Sequence, residues 1–62
     1  MEDKLIEDLR KVMAEKSYSA ETASKFIDCS FKQVYLWLKY QSKPSRLYRK
    51  AISKGIKRME RL

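Results

Sequence analysis

The side chains best equipped for chemistry lie close together in mid-chain: Lys32, Gln33, Tyr35, Leu36, Lys39 and Tyr40. They offer ammonium donors, an amide, two phenols and one aliphatic contact. No base stands beside a nucleophile among them. The chain has no histidine and a single cysteine, Cys29. That rules out a disulfide within the chain and a zinc site of the Cys/His kind. No phosphate-cradling loop occurs, and 62 residues bury too little surface to enclose a reaction pocket. The expectation is therefore a non-enzyme with no catalytic residues, no cofactor, no metal and no small-molecule substrate. The chemistry on offer is recognition.

Charge indicates what is recognised. Residues 1–30 carry five basic side chains against seven acidic ones, whereas residues 31–62 carry ten against Glu60 alone. The net charge is +7 and the isoelectric point is near 9.8. Positive charge gathered into one half of a small domain is the footprint of a polyanion partner. A basic surface kept only for solubility does not require such segregation. The lone thiol suits a reducing, cytoplasmic setting. The opening MEDKLIEDLR is acidic and unlike a secretory signal, and no apolar run reaches the ~20 residues of a membrane span.

These residues need helices to hold them. One glycine and one proline leave little material for hairpins. Leu5, Ile6, Leu9, Val12 and Met13 recur at helical spacing, which predicts a first helix over residues 2–16. Glu2, Asp3 and Glu7 in its first turns complement the helix dipole. Ser19 is a good N-cap for a second helix, Ala20–Ile27, with Tyr18 before it as a hydrophobic staple. Small Ala23 and Ser24 allow a close helix approach. Asp28 ends that helix at a point where the backbone often needs φ > 0. Cys29 reads as a small buried plug in the turn.

Ser30 caps a third helix, Phe31–Tyr40, and with Gln33 forms an S-x-x-Q capping box. At 100° per residue, Val34, Trp37 and Leu38 share the inner side, with Phe31 at its edge. Lys32, Leu36 and Lys39 centre the outer side, flanked by Gln33, Tyr35 and Tyr40. An exposed Leu36 between two lysines suggests an apolar contact with a partner. After the connector Gln41–Pro44, a last helix begins at Pro44 or Ser45 and covers about 44–61. Leu47, Tyr48, Ala51, Ile52, Ile56, Met59 and Leu62 form its apolar stripe. Gly55 inside it reads equally as a bend, a close contact or an early end. The expected architecture is a compact all-α domain of four or five helices.

The run ASKFIDCSFKQVYLWL resembles the helix-turn-helix of bacterial and phage regulators, in particular the Cro and phage-repressor-like (XRE-type) class. The small pair Ala23-Ser24, the aliphatic Ile27, the turn at Asp28-Cys29, the cap Ser30 and the buried pair Val34 and Trp37 carry the resemblance. The later KPSRLYRKAI is similar to the segment that closes the core in that class. The likeness spans roughly residues 19–52. Asp28 stands where a turn glycine is usual, and Phe31 and Leu36 where polar base readers are usual. Excisionase and MerR-type regulators share the pattern but add a β-hairpin wing, and nothing after Tyr40 alternates like a strand.

The resemblance implies a lambda-repressor-like fold and sequence-specific binding of double-stranded DNA by a cytoplasmic, nucleoid-associated prokaryotic or phage transcription regulator. It places the third helix in the major groove. Lys32, Gln33 and Leu36 become the base-reading candidates, for guanine, adenine and the thymine methyl respectively. Ser19, Ser30, Tyr35, Lys39, Tyr40, Lys43, Arg46 and Arg49 become the backbone candidates. Lys54, Lys57 and Arg61, far from the motif, read as solvated. Members of the class commonly act as homodimers, and Met59, Leu62 or an exposed part of the last helix would supply that surface. Two alternatives stay open. Residues 45–62 would also suit an anionic membrane surface or an acidic protein groove, and the same basic face would suit RNA.

Overall fold

Each helix begins where a side chain with a free oxygen accepts an otherwise orphaned N–H. Asp3, Ser19, Ser30 and Ser45 do this for α1 (Lys4–Lys16), α2 (Ala20–Ile27), α3 (Phe31–Leu38) and α4 (Arg46–Glu60). The structure is a computed structural model that describes residues 3–61. Four α-helices and no strands make up the described residues, so the domain is all-α. No described helix is long and apolar enough to cross a membrane.

Three helices stop in the same way. Ser17, Asp28 and Tyr40 take left-handed backbone, with φ of 57°, 68° and 58°. Beyond each, the chain turns back to bond the last carbonyls: Tyr18 N–H to Met13 O at 2.9 Å, Cys29 N–H to Ser24 O at 3.1 Å, Gln41 N–H to Leu36 O at 2.9 Å. The expected φ > 0 at Asp28 is present; those at Ser17 and Tyr40 carry no comparable mark in the sequence. The turn at Tyr40 also explains why α3 closes at Leu38, two residues before its expected end. α4 opens at Arg46, because Ser45 serves as its cap. α1 opens at Lys4, with Asp3 as cap; Glu2, expected in its first turn, and Leu62, expected on the apolar stripe, lie outside the described residues.

The core follows the apolar period. Ile6, Leu9, Val12 and Met13 from α1, Ala23 and Ile27 from α2, Val34 and Trp37 from α3, and Ile52 and Met59 from α4 form one buried cluster. Both α3 and α4 pack on α1 and on α2. They approach each other where Trp37 and Tyr48 meet at 5.2 Å between ring centres. Tyr18 stacks on Phe26 at 5.5 Å, pinning the entry to α2.

Gly55 marks a close contact, and α4 continues past it to Glu60. A Cβ at this position would stand 2.7 Å from Ile27 Cγ1 and 3.3 Å from both Ile27 Cα and Phe26 O. The sole glycine thus lets α4 cross the end of α2. Leu47 departs from the expected stripe and is 79% exposed. At 100° per residue it lies well round the helix from Ile52 and Met59, and at the first turn no neighbouring element covers it.

Candidate nucleic-acid interface

The orientation of α3 is set from inside. Val34 and Trp37 are almost completely buried, which turns the opposite side of the helix outward. Ser30 Oγ accepts from Gln33 N–H at 3.4 Å, fixing the start of the helix. Lys32, Tyr35 and Lys39 are exposed, while Gln33 and Leu36 are half-buried. Lys39 Nζ lies 4.9 Å from the centre of the Tyr35 ring, a cation–π pair one helical turn apart. Among the described residues, the outer face therefore offers one ammonium without an ion-pair partner at Lys32 and one held against a phenol ring.

Two details differ from the expected face. Phe31 is 59% exposed rather than at the edge of the core. It is the first residue of the helix, and side chains there lean back past the N-terminus, where nothing packs over them. Leu36 is half-buried rather than exposed; the turn after α3 folds back to its carbonyl through Gln41 N–H. The open apolar contact on this face is therefore the Phe31 ring.

The backbone candidates fall into three groups. Lys43 and Arg46 are exposed on the connector and at the start of α4. Ser19 is exposed at the head of α2, where its Oγ accepts from Thr22 N–H at 3.2 Å. Glu21 in the same turn already supplies negative charge there. Tyr40 and Arg49 are tied to α1, whereas Ser30, Tyr35 and Lys39 keep their polar and cation–π contacts within α3 and its cap. Arg49 grips Asp3 with two hydrogen bonds, 2.8 and 3.2 Å. The Tyr40 hydroxyl donates to Glu7, and the Arg10 guanidinium lies 5.9 Å from the centre of the Tyr40 ring.

These contacts leave electrostatic signatures. The Arg49 hydrogen bond holds the Asp3 carboxyl below the usual carboxylate range and raises the guanidinium in turn. The hydrogen bond to Glu7 pushes the Tyr40 phenol up. Cys29 is half-buried, and burial, followed by the nearby Asp28 charge, pushes its thiol up, away from the reactive thiolate.

Arg10 is a further candidate that the local pattern did not reveal. Its guanidinium donates to the Leu38 carbonyl at the C-terminal end of α3, where the dipole favours a cation. With Met13, Tyr35, Leu38 and Lys39 it lines an apolar groove between α1 and α3. Its link to α3 spans 28 residues, beyond any periodic signal in the sequence. Met59 is fully buried and forms no surface for a second copy; Leu62, the other named residue, lies outside the described residues.

No family model matches the chain, and no curated protein or solved structure matches it.

Proposed function

We propose that this domain binds double-stranded DNA in a sequence-specific way, with α3 in the major groove, as a small prokaryotic or phage transcription regulator of the helix-turn-helix kind. One observation carries the reading. α3 is anchored by Val34 and Trp37, yet the helix and everything after it up to Glu60 contain no acidic residue. The outward face thus pairs cations with aromatic and amide groups and meets a phosphate-rich groove without repulsion. An α-helix about 10–12 Å across fits a major groove about 12 Å wide.

Lys32 and Gln33 read base edges near the start of α3, with Phe31 and Leu36 for apolar contact with thymine methyls. Tyr35, Lys39, Lys43 and Arg46 hold phosphates, which sets register and affinity. Tyr40 and Arg49 act one step back: bound to Glu7 and Asp3, they fix the connector that carries Lys43. A homodimer on half-sites about one helical turn apart would raise the affinity of so small a module, and Leu47 is the exposed apolar residue on α4 that suits it. Such a regulator works in the cytoplasm at the nucleoid.

The membrane alternative needs a free apolar face on α4. Ile52, Gly55 and Met59 are instead buried against the other helices, which favours the nucleic-acid reading. The test is a titration of the chain with random duplex DNA and with RNA at two salt concentrations, followed by selection from a randomised duplex pool. Salt-sensitive DNA binding and an enriched motif are expected. Binding to RNA alone, or a pool that stays random after selection, would sink the proposal.

A further inference from the structure

We infer that the outer ridge of α4 is a second, sequence-indifferent site for nucleic-acid backbone, so that one copy holds two stretches of duplex at once. This goes beyond the reading of α3 and rests on it only for the first duplex. Lys50, Lys54, Lys57 and Arg61 are all exposed. Their spacing of four, three and four residues puts them on one side of the helix, opposite buried Ile52, Gly55 and Met59. From Lys50 to Arg61 the ridge is about 17 Å long at 1.5 Å per residue.

Helix stability does not account for the whole of this ridge. Like charges one turn apart weaken a helix, and the first turn of α4 holds no acid to favour its dipole. The dipole explains cations at the C-terminal end, at Lys57, Arg58 and the C-cap Arg61, and leaves Lys50 and Lys54 unexplained. Arg58 has a separate task, donating to the Phe26 carbonyl at the end of α2 at 3.4 Å. Of the nearby acids, Asp28 shares a groove with Lys50 and Lys54 but forms no ion pair with either. Asp3 takes Arg49 on the α1 side, and Glu60 lines the α1–α4 groove with Asp8 and Glu15. Among the described residues, none of the four ridge cations has an ion-pair partner.

The ridge starts near the turn before α3, where Lys50 and Lys54 share a groove with Ile27 and Asp28, and runs away from it, with Lys57 and Arg61 about one and two turns beyond Lys54. α4 meets α3 near Tyr48, at the start of α4, so the ridge leads its charge away from that junction. Its uniform side chains carry no amide or aromatic group able to tell one base from another. They suit a regular array of phosphates. An acidic protein partner would be expected to meet apolar residues among the cations; the crest from Lys50 to Arg61 has none, and exposed Leu47 adjoins only its N-terminal end.

Duplex bridging tests this. Biotinylated random duplex is fixed to beads and saturated with the chain, and a second, fluorescent random duplex is added. The wild type should capture the second duplex. The variant K54Q/K57Q/R61Q should lose at least tenfold of that capture, keep α3's sequence preference, and show a salt exponent for total binding lower by about 3. Glutamine suits helices nearly as well as lysine; a circular dichroism melt verifies folding, and K50Q/K54Q serves as the milder second variant. Absence of capture by the wild type, or capture undiminished in both variants, overturns the inference. Binding of poly-glutamate by the wild type and not the variants, without bridging, overturns it in favour of an acidic protein partner. K32A/K39A separates the two readings. An unchanged sequence preference there sinks the role of α3, while loss of bridging in the α4 variants alone still establishes the ridge.

Discussion

α3 and α4 are both amphipathic and basic, and they differ in what they turn outward. The face of α3 mixes Phe31, Lys32, Tyr35 and Lys39 over two turns. The crest of α4 repeats one kind of charge over three turns. A mixed face discriminates because each group wants a different partner atom. A uniform face attracts without discriminating, since every phosphate looks alike to it. The anchors differ as well. α3 is held by a large ring, Trp37, which meets Tyr48 of α4. α4 is held where a side chain is missing, at Gly55 over Ile27.

The comparison is most directly broken at the two anchors. Trp37→Ala removes a ring that is 1% exposed and should cost about 3–5 kcal/mol. A domain of this size holds only about 3–9 kcal/mol in total, so the variant should be largely unfolded by circular dichroism. A folded Trp37→Ala that merely loses DNA binding would place the ring on the working face instead. Gly55→Ala sets two effects against each other. Alanine gains about 1 kcal/mol in helix propensity, whereas overpacking against Ile27 costs about 1–3 kcal/mol. Two of the three close atoms are backbone and yield poorly, so a net loss is expected in the urea midpoint. A more stable variant would mean that the helices separate easily there.

Smaller effects sharpen the contrast between reading and holding. Lys32→Ala should change the selected motif at one or two base pairs, by about 1–3 kcal/mol of discrimination. Lys43→Ala should instead weaken all duplexes alike and lower the salt exponent by about 1. An unchanged motif in the first variant, or a motif-specific loss in the second, reverses those roles. The smallest effect is the Asp3–Arg49 pair, whose side chains are 25% and 45% exposed and therefore screened. The folded Asp3 pKa is lowered. Its contribution is thus complete above the unfolded carboxylate value and fades as pH falls through the lowered one. Asp3→Asn keeps an N-cap but drops the charge, so its melting temperature should fall less steeply into acid than that of the wild type. Parallel curves would show that the pair adds no stability.

Much of this was legible from local pattern. The caps at Ser19 and Ser30, the left-handed Asp28 and the apolar sides of all four helices follow from residue type and spacing. Helix ends were harder to read, because Ser17 and Tyr40 turn the chain without glycine or asparagine to mark the place. Phe31 and Leu47 misled because periodicity assumes a neighbour on the apolar side, and a first-turn residue can lie beyond every neighbour. The clamps from Asp3 to Arg49 and from Glu7 to Tyr40 join residues 46 and 33 positions apart. Only the packed chain brings them together.

The left-handed stops at Ser17, Asp28 and Tyr40 bear on how freely this sequence can change. A side chain in that conformation costs about 1–2 kcal/mol, and part of that cost is recoverable by glycine at Ser17 or Asp28, both exposed. Tyr40 is not interchangeable in this way, since its side chain holds α1. Asp28 shares a groove with Lys50 and Lys54 of α4, so the tolerance that leaves both outer faces alone is at Ser17, in the turn between α1 and α2. A destabilising change on either face, acquired while binding preference drifts, can be offset there without touching the new preference.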